Sequence, residues 1–147
     1  MVYFSCYYHY SASDEAITSI LFVENVEKSE PNALTLLAQE QLEEYFHGQR
    51  QSFDLPLDAG GTKFQQSVWR ELIEIDYGKT CTYQDIANTI ANPKAVRAVG
   101  SANGKNPMTI VVPCHRVIGT NGTLTGYAFG VDKKAWLLNH EKNKARK

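Results

Sequence analysis

The chain has 147 residues, a formal net charge of −1, 43% apolar residues and 21% charged ones, fractions typical of a globular protein with one ordinary core or two small lobes but not two full domains. No stretch approaches the apolar length that spans a bilayer, and the opening Met1-Val2-Tyr3-Phe4-Ser5-Cys6-Tyr7-Tyr8 lacks the basic start and aliphatic core of a signal peptide, so a cytoplasmic protein is expected. Three cysteines, an odd number set far apart, argue against a disulfide framework and fit a reducing compartment; no cysteine and histidine set has zinc-finger spacing.

The small total charge conceals a division. Residues 1–60 hold ten acids against Lys28 and Arg50, a balance of −8, whereas residues 61–147 hold thirteen Lys and Arg against six acids, a balance of +7. A polyanion-binding lobe beside an acidic lobe would show this asymmetry, as would a dipolar but inert surface.

The opening alternates aromatic with small or polar residues, and Ile17 to Val26 is rich in β-formers, so the chain begins with two or more strands. Pro31 then starts a helix whose apolar positions Leu34, Leu37, Ala38, Leu42, Tyr45 and Phe46 keep helical spacing, with Gly48 closing it. Asp54 to Gly61, with Pro56 and two glycines, reads as a linker, which divides the chain into lobes at 1–59 and 62–147. Thr62 and Gln65 form a capping-box pattern for a second helix, with Phe64, Val68, Leu72 and Ile75 on one face and Gly78 at its end. Thr82 and Asp85 repeat the pattern for a short helix that turns Ile86, Ala87 and Ile90 inward. Asn92-Pro93 reads as an N-cap followed by proline at the first helical position, opening a further helix through Asn103. The last two have helix-turn-helix dimensions, a pattern shared by DNA readers and by ordinary core helices. Small residues along Lys94 to Asn103 suit close approach to a groove with little base readout, or close packing; Arg97 could pair with phosphate or stack where a base has left the duplex.

The apolar run Ile110-Val111-Val112 reads as a buried strand leading into Pro113-Cys114-His115-Arg116-Val117. A thiol beside an imidazole can yield a thiolate nucleophile, although most free cysteines are small buried hydrophobes, and this segment alone leaves both readings open. Near the C-terminus Asp132 can cap a helix carrying Trp136, Leu137, Leu138, His140 and Glu141. Glu141 shares the face of Leu137 and Leu138, so its carboxylate needs a partner, structural or imidazole. Lys142 to Lys147 reads as a solvated cationic end.

Taken in order and spacing, Tyr83-Gln84-Asp85-Ile86-Ala87, Arg97-Ala98-Val99-Gly100, Asn106-Pro107, the run Ile110 to Gly119, Gly126-Tyr127-Ala128 and Trp136 to Glu141 strongly resemble the 6-O-alkylguanine-DNA alkyltransferases, also called methylated-DNA:protein-cysteine methyltransferases. The match runs from about Phe64 to Glu141, and Leu42 to Gly48 with Phe53 to Leu57 resemble the family's first lobe. The resemblance implies an α+β fold, a small ribonuclease-H-like sheet-and-helix lobe followed by a mostly helical, winged-helix-like lobe with a helix-turn-helix. It implies repair of double-stranded DNA by stoichiometric transfer of an alkyl group from guanine oxygen-6 to Cys114, without a cofactor and by a monomer.

By the same resemblance His115 acts as base through a water, Glu141 orients His115, and Asn106 braces the active-site turn. Tyr83 donates a proton or hydrogen bond to the departing guanine, backbone groups of Cys114, Val117 and Ala128 read its edge, and Tyr127 walls the pocket. Arg97 fills the gap left by the flipped nucleotide, and Gln84, Asn92, Ala95 and Thr120 lie along the DNA. Phe129 stands where the family commonly has glycine and is expected to narrow the pocket mouth. Some relatives bind zinc in the first lobe, but Cys6 and His9 alone make no such set here, so no structural metal is expected. A non-enzymatic lesion-binding module, with Cys114 merely structural, and a cysteine hydrolase using Cys114, His115 and Glu141 are the rival readings.

Overall fold

A computed structural model of the chain describes residues 7–23, 31–124 and 127–145. It divides into two compact units, the first comprising residues 1–60 with 107–111 and the second residues 61–106 with 112–147.

In the first unit, β1 (Tyr7–Ala12) and β2 (Ile17–Val23) pair antiparallel, with Tyr8 opposite Phe22 and Tyr10 opposite Ile20. Helix α1 (Ala33–Phe46) follows, and its N-cap is Asn32, one residue beyond the expected proline: the Asn32 side chain accepts from Thr35 N while the Thr35 side chain accepts from Asn32 N. That reciprocal bond satisfies two backbone donors at the helix start, which proline could not do. Ala38, Leu42, Tyr45 and Phe46 are buried as the spacing requires, but Leu37 is 37% exposed. Gln41 is buried on this helix instead, clamping the backbone of Asp54 with bonds of 3.1 and 2.9 Å, so a polar side chain occupies a core position at no cost in unmade hydrogen bonds.

Residues 54–61 and the run before Cys114 differ from their sequence reading. Residues 54–61 are more than a linker, because Ile17 N donates to Pro56 O and Asp58 N to Ile17 O, both at 2.8 Å, so Leu57 runs as a parallel bridge beside β2. The apolar run before Cys114 is not a strand. Met108 bridges to Ile20, and Thr109 to Val111 then form a turn in which Ile110 takes φ 72°. A β-branched residue rarely adopts that left-handed conformation, and no sequence periodicity announces it.

In the second unit, α2 (Lys63–Ile73) begins at the expected Thr62–Gln65 capping box and buries Val68, Trp69 and Leu72. The Trp69 indole donates to Ala102 O at 2.8 Å, tying α2 to a later helix. Gly61, with φ +80°, has room for no Cβ, which would meet the Trp69 ring at 2.7 Å. Helix α2 stops at Ile73, short of Gly78, which serves a later turn at φ 78°. β3 (Cys81–Thr82) pairs parallel with β4 (Val117–Ile118). Between them lie α3 (Tyr83–Thr89), opened by the Thr82–Asp85 capping box, and α4 (Val96–Gly104). Asn92-Pro93 does not open α4; Asn92 O accepts from Ala95 N at 3.0 Å within a turn entered through Ala91 at φ 60°, and Ala95 is the N-cap without a side-chain cap. Helices α3 and α4 pack together as a helix-turn-helix. Helix α5 (Val131–Ala145) takes Asp132 into its first turn and includes Lys142 to Ala145, part of the expected solvated end. The fold is of the expected α+β class.

Candidate active site

Pro113 ends the turn before a single 3-10 turn, Cys114–Arg116, which β4 continues. This tight turn places three consecutive side chains, Cys114, His115 and Arg116, in the interior, at 6%, 0% and 6% exposure. An extended strand would have sent alternate side chains to opposite faces. Asn106 fixes the turn from behind, donating its side-chain amide to Val112 O at 2.8 Å, and Asn103 on α4 donates to Cys114 O at 3.3 Å. Helix α5 brings Glu141, fully buried, against the same turn.

The geometry fixes protonation states. His115 Nε2 lies 2.6 Å from Glu141 Oε2. Arg116 donates from Nε to Glu141 Oε1 at 2.8 Å and from Nη2 to Oε2 at 3.0 Å. Burial works to raise the Glu141 carboxyl, but the hydrogen bonds and charges of His115 and Arg116 overcome it and hold the group well below the usual carboxylate range. Burial holds His115 below the ordinary histidine value, with the Glu141 bond opposing and the Arg116 and Lys134 charges assisting. An ionised carboxylate only accepts, so the neutral imidazole carries its proton on Nε2 and leaves Nδ1 as the acceptor. Nδ1 is buried with no hydrogen-bond partner among the described residues.

Cys114 is a free, buried thiol. Burial pushes it up, and the Asn106 side chain, the Lys134 charge and a backbone N–H pull it back. Its resting form at neutral pH is therefore the thiol, and it needs a base to react.

The expected residues fall into three groups. Cys114, His115, Glu141 and Asn106 come together in one buried cluster. Tyr83 at the start of α3 is half-buried, with the Lys134 ammonium 5.7 Å from its ring centre, and Lys134 also acts on Cys114. Val117 is buried on β4; Tyr127 is buried and meets Phe129 edge-on at 5.9 Å, while Ala128 between them is exposed. On the helix-turn-helix, Gln84 donates to Pro93 O at 3.0 Å, close in sequence to Asn92 and Ala95, and Arg97 is exposed in the first turn of α4. Thr120 is exposed in the turn after β4. Two members of the cluster went unassigned in the sequence reading, Arg116 and Lys134, the latter with 0% exposure. Lys134 lies one helical turn before Leu138 and two before Glu141, a spacing that puts a lysine on the inner face of α5 and was its only sequence signal. Cys6, named with His9 above, lies outside the described residues.

Residues 63–143 match the model of the 6-O-methylguanine DNA methyltransferase DNA binding domain, and residues 11–59 that of the 6-O-methylguanine DNA methyltransferase ribonuclease-like domain. The methylated-DNA--protein-cysteine methyltransferase of Methanosarcina acetivorans is 61% identical over 104 residues, 71% of this chain and 67% of the relative. That of Methanosarcina barkeri is 57% identical over 109 residues, 74% of this chain and 69% of the relative. Among solved structures, Mycobacterium tuberculosis OGT in complex with DNA superposes with a TM-score of 0.85 at 42% identity, covering 93% of this chain and 87% of that one.

Proposed function

The chain belongs to the 6-O-methylguanine DNA methyltransferase family, and from that membership we propose that it repairs DNA by moving an alkyl group from oxygen-6 of guanine to the sulfur of Cys114. The observation that carries the assignment to Cys114 is a buried thiol on the same 3-10 turn as a buried imidazole whose Nε2 lies 2.6 Å from the Glu141 carboxylate. The partner is double-stranded DNA bearing alkylated guanine, met by a monomer in the cytoplasm.

The reaction balances without a cofactor. His115 Nδ1 takes the Cys114 proton through a bridging water, and the sulfur attacks the alkyl carbon in line. The carbon–oxygen bond breaks as the carbon–sulfur bond forms, and Tyr83 supplies a proton to the guanine so that it leaves as a neutral base. Solvent returns the proton from His115 to Tyr83. The thioether has no easy route back to a thiol, so each molecule acts once.

The alkyl carbon is inside the base stack of a duplex, so the nucleotide must be extruded. Arg97, exposed on α4, fills the gap; Gln84, Asn92, Ala95 and Thr120 contact the DNA backbone, and the backbone groups of Cys114, Val117 and Ala128 read the base against the wall of Tyr127. The positive balance of residues 61–147 supports phosphate binding around this site.

The test is a single-turnover assay with a duplex containing 6-O-methylguanine. The parent restores guanine in a one-to-one ratio, and Cys114→Ser binds the duplex without restoring it. Turnover beyond one lesion per protein, or repair by Cys114→Ser, contradicts the proposal.

A further inference from the structure

Arg116 meets both oxygens of Glu141, whereas His115 meets one, and the mechanism above assigns it no task. Its guanidinium spends three donors, two on the carboxylate and a third, Nη1, on Ile75 O at 2.7 Å. Its Cζ lies 5.7 Å from the centre of the Tyr77 ring. Gly78 N also donates to Glu141 Oε1, at 3.4 Å. Each carboxylate oxygen thus serves two donors, Oε1 those of Arg116 and Gly78, Oε2 those of Arg116 and His115.

A buried carboxylate facing an imidazole alone favours the imidazolium–carboxylate ion pair, because an unpaired buried charge is costly. An imidazolium cannot accept a proton. A permanent cation on the other side of the carboxylate changes that balance, since the negative charge is already matched and a second positive charge would be in excess. Arginine suits this task better than lysine, since it never deprotonates and its fork meets both oxygens at once.

We infer that Arg116 is a positioning residue of the transfer reaction, keeping Glu141 ionised and His115 neutral so that Nδ1 stays able to take the thiol proton. The inference rests on the alkyltransferase reading for its consequence, but the state of His115 can be read without it. The groups that face His115 are Glu141 and Lys134 from α5, Arg116 and Cys114 from its own turn, and Tyr77 beyond Arg116 from the loop after α2. Tyr77 is pushed up to about 12, by burial first and then by Glu141 against the pull of Arg116, and so remains neutral. Two cations therefore oppose one anion around the ring, and the Arg116 charge is one of the influences that holds His115 down.

A purely structural Arg116 would tie the Ile75 loop to α5, and its loss would lower stability without altering proton chemistry. The experiment separates the two by following the His115 ring through a pH titration by NMR in the DNA-free protein, beside the pH profile of single-turnover methyl transfer. The variants are Arg116→Gln, which keeps hydrogen bonding but not charge, and Arg116→Lys, which keeps the charge but not the fork. In Arg116→Gln the His115 midpoint rises by about one pH unit, and the acid limb of the transfer profile rises with it, an about tenfold loss of rate on that limb. In Arg116→Lys both stay near the parent while melting temperature falls. An unchanged His115 midpoint in Arg116→Gln overturns the inference. Should that variant fail to fold, replacement of Arg116 by citrulline, which keeps the shape of the side chain but not its charge, decides instead, and an unchanged His115 midpoint there overturns the inference. Absence of transfer in the parent would instead remove the alkyltransferase reading, while the titration would still judge Arg116.

Discussion

His115 Nε2 and Glu141 Oε2 meet at 2.6 Å with both side chains at 0% exposure, which makes the pair a determinant of tautomer as much as of position. Glu141→Gln puts an amide where the carboxylate was and no longer requires the ring proton on Nε2. Transfer falls by about two to four orders of magnitude. The same substitution leaves Arg116 without its counter-charge, so stability drops by about 3 kcal/mol. Rapid-quench repair assays and denaturant melts measure the two effects on one sample.

The pH dependence of stability follows from the same cluster. Glu141 and His115 are both held below their ordinary values, so the unfolded chain binds more protons than the folded one at acid pH. Their contribution is complete above about 6.5, the ordinary histidine value. It declines as pH falls below that value and declines further below the ordinary glutamate range. Cys114 is raised, so its contribution is lost in the opposite direction, as pH climbs past the ordinary thiol value. Thermal melts from pH 4 to 10 should rise through the acid range, level near neutrality and fall at the alkaline end.

Much of this arrangement was legible in the sequence, and the failures have identifiable causes. The Thr62–Gln65 and Thr82–Asp85 boxes set their helix starts correctly because a capping box is local chemistry that tertiary contacts seldom override. Asn92-Pro93 misled for the complementary reason: a residue suited to an N-cap also suits a turn, and the positive φ of Ala91 redirects the chain before α4 begins. The run Ile110 to Val112 buries its two ends, Ile110 and Val112, and burial alone does not distinguish a strand from a turn. The helical spacing of Glu141 shows that its carboxylate needs a partner, but Arg116 as that second partner follows only from the 3-10 turn, which draws three consecutive side chains inward.

Arg97 is exposed on α4 and makes no contribution to the core. Arg97→Ala therefore changes unfolding free energy by no more than about 0.5 kcal/mol. It nevertheless weakens repair in duplex DNA more than in single-stranded DNA, where no base pair has to be opened. A fluorescent base analogue opposite the lesion reports extrusion, and a collapse in melting temperature would instead make Arg97 structural.

Tyr127 and Phe129 meet edge-on with ring centres 5.9 Å apart, so Phe129 bulk adjoins the wall proposed for the base. Phe129→Gly opens that side. Transfer from 6-O-benzylguanine gains by at least about tenfold over transfer from the methyl adduct, about one methylene-scale difference in pocket fit. Competition between the two adducts in one reaction gives the ratio directly.

The central claim is covalent, and its most direct measurement is the intact mass of the protein after incubation with a short duplex carrying 6-O-methylguanine, followed by mapping of the modified peptide. One methyl group gained per molecule, located on Cys114, with guanine restored in the duplex, is the predicted result. Tight binding with no gain in mass, or a methyl group on any other residue, would contradict it.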